Sequence, residues 1–142
     1  MIRQLNSFQS ITSITIKLLF SEKRYHVISG IDSSLLNIYY NGAYCLLYPS
    51  AYEGFGLPVV EAQRAGCPVI AYNSSSISEI IGDTPLLLND LSVNSITQAL
   101  DTIKEPLLRS KVVEKGLCNA QRFSWDRMYE EVLQLYKEAL DI

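Results

Sequence analysis

The apolar positions of this 142-residue chain fall into short runs that alternate with amphipathic stretches. Residues 1–13 show no clear periodicity and read as frayed or disordered, or as an artefact of the assigned start site. Residues 14–20 alternate loosely, as a strand does, and 25–29 form a second short strand ended by Gly30. Asp32 is placed to cap a helix running to about residue 41, with Leu35, Leu36, Ile38, Tyr39 and Tyr40 on its apolar face. The apolar run 44–48 suits a strand buried on both faces of a parallel sheet, and Pro49 ends it.

Pro58 then suits the first turn of a helix, because the N–H it lacks would have no partner there. That helix runs to about residue 65, and Gly66 closes it. Residues 68–72 form the next buried strand. Ser76 with Glu79 gives a capping-box pattern for a short helix ending at Gly82, and 86–88 is a brief strand. Helices over about 92–104, 106–122 and 124–140 finish the chain. Ile96, Leu100 and Ile103 share one face, as do Met128, Val132, Leu135 and Tyr136. Strands alternating with helices predict an α/β fold, a Rossmann-like parallel sheet flanked by helices. Ligands in such sheets bind beyond the carboxyl ends of the strands.

Length predicts a single domain over residues 1–142. Apolar residues make up 48% of the chain, enough for a core and against disorder. The net charge of −3, with no basic run longer than Lys23-Arg24, gives no support for nucleic-acid binding. Three scattered cysteines, Cys45, Cys67 and Cys118, predict a reducing, cytoplasmic setting. Neither a C-x-x-C pair nor a His/Cys cluster suggests a metal. No apolar run reaches membrane-spanning length, and the N-terminal residues lack a secretory apolar core.

The candidate chemistry lies in residues 53–61. Glu53 and Glu61 are separated by seven residues, and between them a Gly54-Phe55-Gly56 bend runs into the helix started by Pro58. Carboxylates accept hydrogen bonds from hydroxyls. Glycines let backbone N–H groups approach an anion where a helix begins and its dipole favours negative charge. This bend follows the carboxyl end of the 44–48 strand, where the topology also expects a ligand.

The stretch Tyr48-Pro49-Ser50-Ala51-Tyr52-Glu53-Gly54-Phe55-Gly56-Leu57-Pro58-Val59-Val60-Glu61-Ala62 resembles the donor-binding signature of GT-B glycosyltransferases of the retaining family 4 group. The likeness continues through Ala65-Gly66-Cys67-Pro68, Ser75-Ser76-Ile77-Ser78-Glu79, Gly82-Asp83 and Phe123-Ser124-Trp125. It implies transfer of a sugar from a nucleoside diphosphate sugar to an acceptor hydroxyl with retained configuration, without a metal cofactor. By resemblance Glu53 is the catalytic-centre carboxylate that meets the transferred sugar, and Glu61 accepts from the ribose hydroxyls. Gly54, Phe55, Gly56 and Leu57 offer amides to sugar and phosphate oxygens, and Gly30 and Ile31 match a loop near the base. Polysaccharide synthesis on the cytoplasmic side, at the inner membrane face, fits the habits of this group.

Plainer assignments stand beside these. Glu53 could be a solvated loop acid, Glu61 an ordinary first-turn acid, and the glycines only a turn. His26 suits a satisfied core or rim position, Glu79 a cap for its own helix, Cys67 a small buried hydrophobe and Trp125 a packing anchor. The tyrosines suggest no stacking platform.

The chain also departs from the family pattern. Neither the acceptor domain nor the Arg/Lys diphosphate loop is evident, and Lys23-Arg24 does not replace that loop. Thr84-Pro85 stands where small residues are usual. These departures predict a GT-B half whose first strands are missing, weakly active or inactive by itself. It would associate through an open sheet edge or work with a separate acceptor-domain chain. The alternatives are a non-catalytic sugar-nucleotide-binding module and an inactive remnant.

Overall fold

A computed structural model describes His26, Ile28 and residues 30–140. The chain divides into two compact units, Met1–Asp32 and Ser33–Ile142. In the first, His26 is exposed, so of the two positions expected for it only the rim remains. Gly30 is exposed at φ +70°, and Ile31 is half-buried. The strand expected at 14–20, most of the one at 25–29, residues 1–13 and the Lys23-Arg24 pair lie outside the described residues.

The second unit runs α1 (Ser33–Gly42), β1 (Leu46–Tyr48), α2 (Leu57–Arg64), β2 (Val69–Tyr72), α3 (Ile77–Ile80), β3 (Leu87–Leu88), α4 (Val93–Thr102), α5 (Pro106–Ala120) and α6 (Trp125–Leu140). The strands form a parallel sheet in the order β1-β2-β3. Leu46 pairs with Val69, Tyr48 with Ala71, and Ala71 in turn with Leu87. Helices flank this sheet, giving the α/β, Rossmann-like architecture that the alternation predicted.

Strand periodicity separates two cores. Val69 and Ala71 pack with Tyr40 of α1, Val59, Val60 and Ala62 of α2, and Ile77 and Ile80 of α3. Ile70, between them in sequence, points the other way and packs with Leu86, Ala99, Ile103 and Val112. Strand β2 is thereby fixed between two packed layers.

The helix boundaries follow from their caps. Gly56 takes φ +107° just before α2, with proline in its first turn, and Gly66 leaves it at φ +70°. The Ser92 hydroxyl accepts from Ser95 N–H at 3.1 Å to start α4. The Glu105 carboxylate accepts from the Leu107 and Leu108 amides to start α5. A buried polar bridge ties α2 to α5. Asn119 Nδ2 donates to Gln63 Oε1 at 2.7 Å and to Ile80 O at 2.8 Å, and Gln63 Nε2 donates to Ile81 O at 2.8 Å.

Four expectations are corrected. On α1 only Leu36 and Tyr40, four apart, reach the core, while Leu35, Ile38 and Tyr39 are exposed. Strand β1 is shorter than 44–48, and Leu47, on the face opposite the first core, is exposed. Ser76 stands at the head of α3 but makes no side-chain cap, since its hydroxyl is engaged elsewhere. No residue of α6 is buried, so neither the Met128/Val132/Leu135/Tyr136 face nor Trp125, which is 70% exposed, anchors the described core.

Candidate functional site

Strands β1 and β2 are parallel neighbours, so the loops that leave their carboxyl ends lie side by side. The first loop, residues 49–56, leads into α2, and the second, 73–76, leads into α3. Three successive serines of the second loop hold the first. The Ser74 hydroxyl donates to Ser50 O at 2.7 Å. Ser75 Oγ accepts from Glu53 N–H at 2.9 Å and donates to Glu53 O at 3.0 Å. The Ser76 hydroxyl reaches both Glu53 O, at 3.0 Å, and Phe55 O, at 2.8 Å. Ser75 adopts φ +41°, the one left-handed non-glycine among the described residues.

None of the Gly54, Phe55, Gly56 and Leu57 N–H groups has an acceptor among the described residues, although Gly56 is buried. They stand at the start of α2, which has no side-chain cap. Unpaired donors and the positive end of the helix dipole therefore coincide, an arrangement that suits an anion. Gly56 is favoured here on two grounds. Its φ of +107° disfavours any side chain, and a Cβ would lie 2.7 Å from Ile77 Cδ1.

Each carboxylate that flanks the bend receives a tyrosine hydroxyl. Tyr48, the last residue of β1, donates to Glu53 Oε1 at 2.6 Å. This bond is the leading cause that holds the Glu53 carboxyl below the usual carboxylate range. Tyr40 of α1 donates to Glu61 Oε2 at 3.3 Å. Both phenols are pushed up to about 12, Tyr40 by burial and then by the Glu61 charge, Tyr48 by burial and then by its bond to Glu53. Each tyrosine is thus a neutral, fixed donor at physiological pH, and each carboxylate keeps further lone pairs for other hydroxyls.

Glu53, Gly54, Phe55, Gly56 and Leu57 run consecutively into the N-terminus of α2, and Glu61 lies one turn further along that helix. Phe55 also packs edge-on against Phe123, with ring centroids 5.6 Å apart, in keeping with a structural side chain. Gly30 and Ile31 belong to the first unit. Among the described residues no three or more His, Cys, Asp or Glu side chains gather as a metal site. Sequence reasoning placed Tyr48 and Ser75-Ser76 within the family likeness and Tyr40 on a helix face, but gave none of them, nor Ser74, a part in the site. A tyrosine ending a strand just before the loop, and serines following the next parallel strand, were the available signals.

A parallel α/β sheet flanked by helices defines the class, a Rossmann-like domain consistent with half of a GT-B enzyme. A model of the family "Glycosyl transferases group 1" matches residues 15–116, and the chain belongs to that family. It is 35% identical over 99 residues to the O-antigen chain mannosyltransferase B of Escherichia coli, covering 69% of this chain and 26% of that protein. It is 31% identical over 104 residues to a D-inositol 3-phosphate glycosyltransferase of Acidothermus cellulolyticus, covering 72% and 23%. Against the glycogen synthase of Pseudomonas syringae pv. syringae it is 33% identical over 121 residues, covering 82% and 25%. The chain spans about a quarter of the length of these relatives.

Proposed function

We propose that this chain binds the donor of a sugar-transfer reaction, a nucleoside diphosphate sugar. Its protein would move the sugar to an acceptor hydroxyl with retained configuration. The observation that carries the assignment is the row of amides from Gly54 to Leu57 at the start of α2, which meet no acceptor among the described residues, flanked by Glu53 and Glu61, each bonded to a tyrosine. The diphosphate sits against the amides and the helix N-terminus. Glu53 accepts from hydroxyls of the sugar, and Glu61, one turn into α2, accepts from the ribose.

As the glycosidic bond breaks, negative charge grows on the departing diphosphate. Amides already aimed at that place stabilise the charge without reorganising, which is usually the largest single catalytic effect. The negative Glu53 beside the sugar favours the positive character that develops on its ring. No metal cofactor is called for in this assignment, because the amides and the helix dipole meet the diphosphate charge. The sugar proposed is a hexose, in line with the mannosyltransferases among the relatives, and the acceptor a growing polysaccharide. No helix among the described residues is long and apolar enough to cross a membrane.

The test is a thermal-shift series with UDP-, GDP- and ADP-hexoses. A ligand present at a hundred times its dissociation constant stabilises by about 2.7 kcal/mol, which is readily seen as a rise in Tm. One nucleotide series should raise Tm and the others should not. No shift with any of them overturns the assignment. For the ligand that binds, NMR of the sugar slowly released to water should show the donor's own anomeric configuration first. The opposite anomer appearing first would contradict retention.

A further inference from the structure

We propose that Ser75 and Ser76 are positioning residues that aim the Gly54 and Gly56 amides at the donor diphosphate. The proposal rests on the donor assignment above and adds how the bend is held in its receptive form. Glu53 C=O and Gly54 N–H belong to one planar trans peptide unit, so they point in opposite directions. The same holds for Phe55 C=O and Gly56 N–H. The Ser76 hydroxyl lies 3.0 Å from Glu53 O and 2.8 Å from Phe55 O, and so draws both carbonyls to the side of the second loop. Both N–H groups are thereby turned the other way, where no acceptor among the described residues meets them.

Ser75 adds a two-point hook, since its oxygen both accepts from Glu53 N–H and donates to Glu53 O. Its φ of +41° is the conformation that brings this hydroxyl into place. Ser76 stands where a helix N-cap would stand, yet it spends its hydroxyl on the neighbouring loop instead of on α3. Cap stability in a four-residue helix is exchanged for control of the bend. Ile77, next in sequence and fully buried, fastens the serine loop to the first core, so the aiming device rests on a rigid support.

The experiment uses the whole 142-residue chain and three variants, Ser76→Ala, Ser76→Thr and Ser75→Gly. Thr keeps the hydroxyl. Gly removes the hook while suiting the left-handed backbone, so loss of fold is not its expected effect. Two readouts are taken: the amide resonances of Gly54 and Gly56 without ligand, and titrations with UDP, GDP and ADP against uridine, guanosine and adenosine. Ser76→Ala and Ser75→Gly should move both glycine resonances and weaken the diphosphate that binds by about tenfold, the order of one lost hydrogen-bonded constraint. The matching nucleoside should bind unchanged, and Ser76→Thr should behave as the parent chain. Glycine resonances that stay in place in both hydroxyl-deleted variants overturn the proposal, as do equal losses for diphosphate and nucleoside. If the parent chain binds no diphosphate, the donor assignment fails, while the glycine resonances still decide whether the serines aim the bend.

Discussion

The Tyr48 hydroxyl donates to Glu53 Oε1 at 2.6 Å, joining the last residue of β1 to the first acid of the bend only five positions later. A loop carboxylate that would otherwise sample many rotamers is held by a neutral phenol at the mouth of the sheet. The Tyr40–Glu61 bond at 3.3 Å repeats the device on α2. Two acids are therefore oriented by groups that carry no charge of their own, and both remain available to hydroxyl ligands.

Changing Tyr48 to Phe should release Glu53. Its carboxyl is held below the ordinary range chiefly by the Tyr48 bond, so its pKa should rise toward the ordinary value. A depressed carboxylate contributes stability above its unfolded pKa and loses it as pH falls through the folded one. The variant should lose less stability than the parent chain on acidification through that window. A carboxyl-carbon NMR titration of Glu53 reads the shift directly, and an unchanged midpoint would contradict the assigned cause.

Alkaline behaviour has the opposite sign. Tyr40 and Tyr48 are raised from 10.0 to about 12, so the fold favours their protonated forms. The stability they contribute is fully present below pH 10 and fades as pH climbs through 12. Absorbance at 295 nm should show a late ionisation step near pH 12 from Tyr40 and Tyr48. The Tyr40→Phe/Tyr48→Phe double variant should lack that late step. Its persistence would place the late ionisation on other residues.

Substituting Gly56 by Ala should destabilise the chain by about 1–3 kcal/mol, the range for a side chain forced into a disfavoured backbone region. Its φ is +107° and the new Cβ would press on Ile77 Cδ1. Urea unfolding gives the loss as a lower midpoint at constant slope. A change within about 0.5 kcal/mol, the usual surface range, would show that the bend relaxes freely.

Glu61→Gln should weaken a nucleoside diphosphate by roughly tenfold, since a charged acceptor is replaced by a neutral one. Binding of the free sugar should hold. Calorimetry on both ligands decides the matter, and equal losses would remove the ribose role from Glu61.

Asn119→Ala should cost about 1–3 kcal/mol through the acceptors it strands, Gln63 Oε1 and Ile80 O. Chemical denaturation of the ligand-free protein measures this. A neutral result would mean that water replaces the amide.

Much of the second unit was legible in the sequence, because its signals are local. Gly56, Pro58 and Gly66 mark the ends of α2 by backbone rules that need no neighbour. The short run at Val69–Tyr72 announces a buried strand, and Ser92, just before α4, is a preferred capping residue, whereas Glu105, which caps α5, is not. The Glu53-to-Glu61 spacing, with glycines between, was equally plain. Local signals misled where one residue had two possible partners. Ser76 and Glu79 spell a capping box, yet the Ser76 hydroxyl serves carbonyls more than twenty residues away.

The sequence by itself determined the order of strands and helices, the glycine bend and the acids on either side of it, since each depends on backbone preference within a few residues. Only the tertiary structure decided that Tyr40 and Tyr48 orient those acids, that three serines of the next loop hold the bend, and that of five apolar residues on α1 only two reach the core. Those pairings follow from which loops and faces the parallel register of β1 and β2 brings side by side. Contacts between residues distant in the chain are set by packing, and no local pattern encodes them.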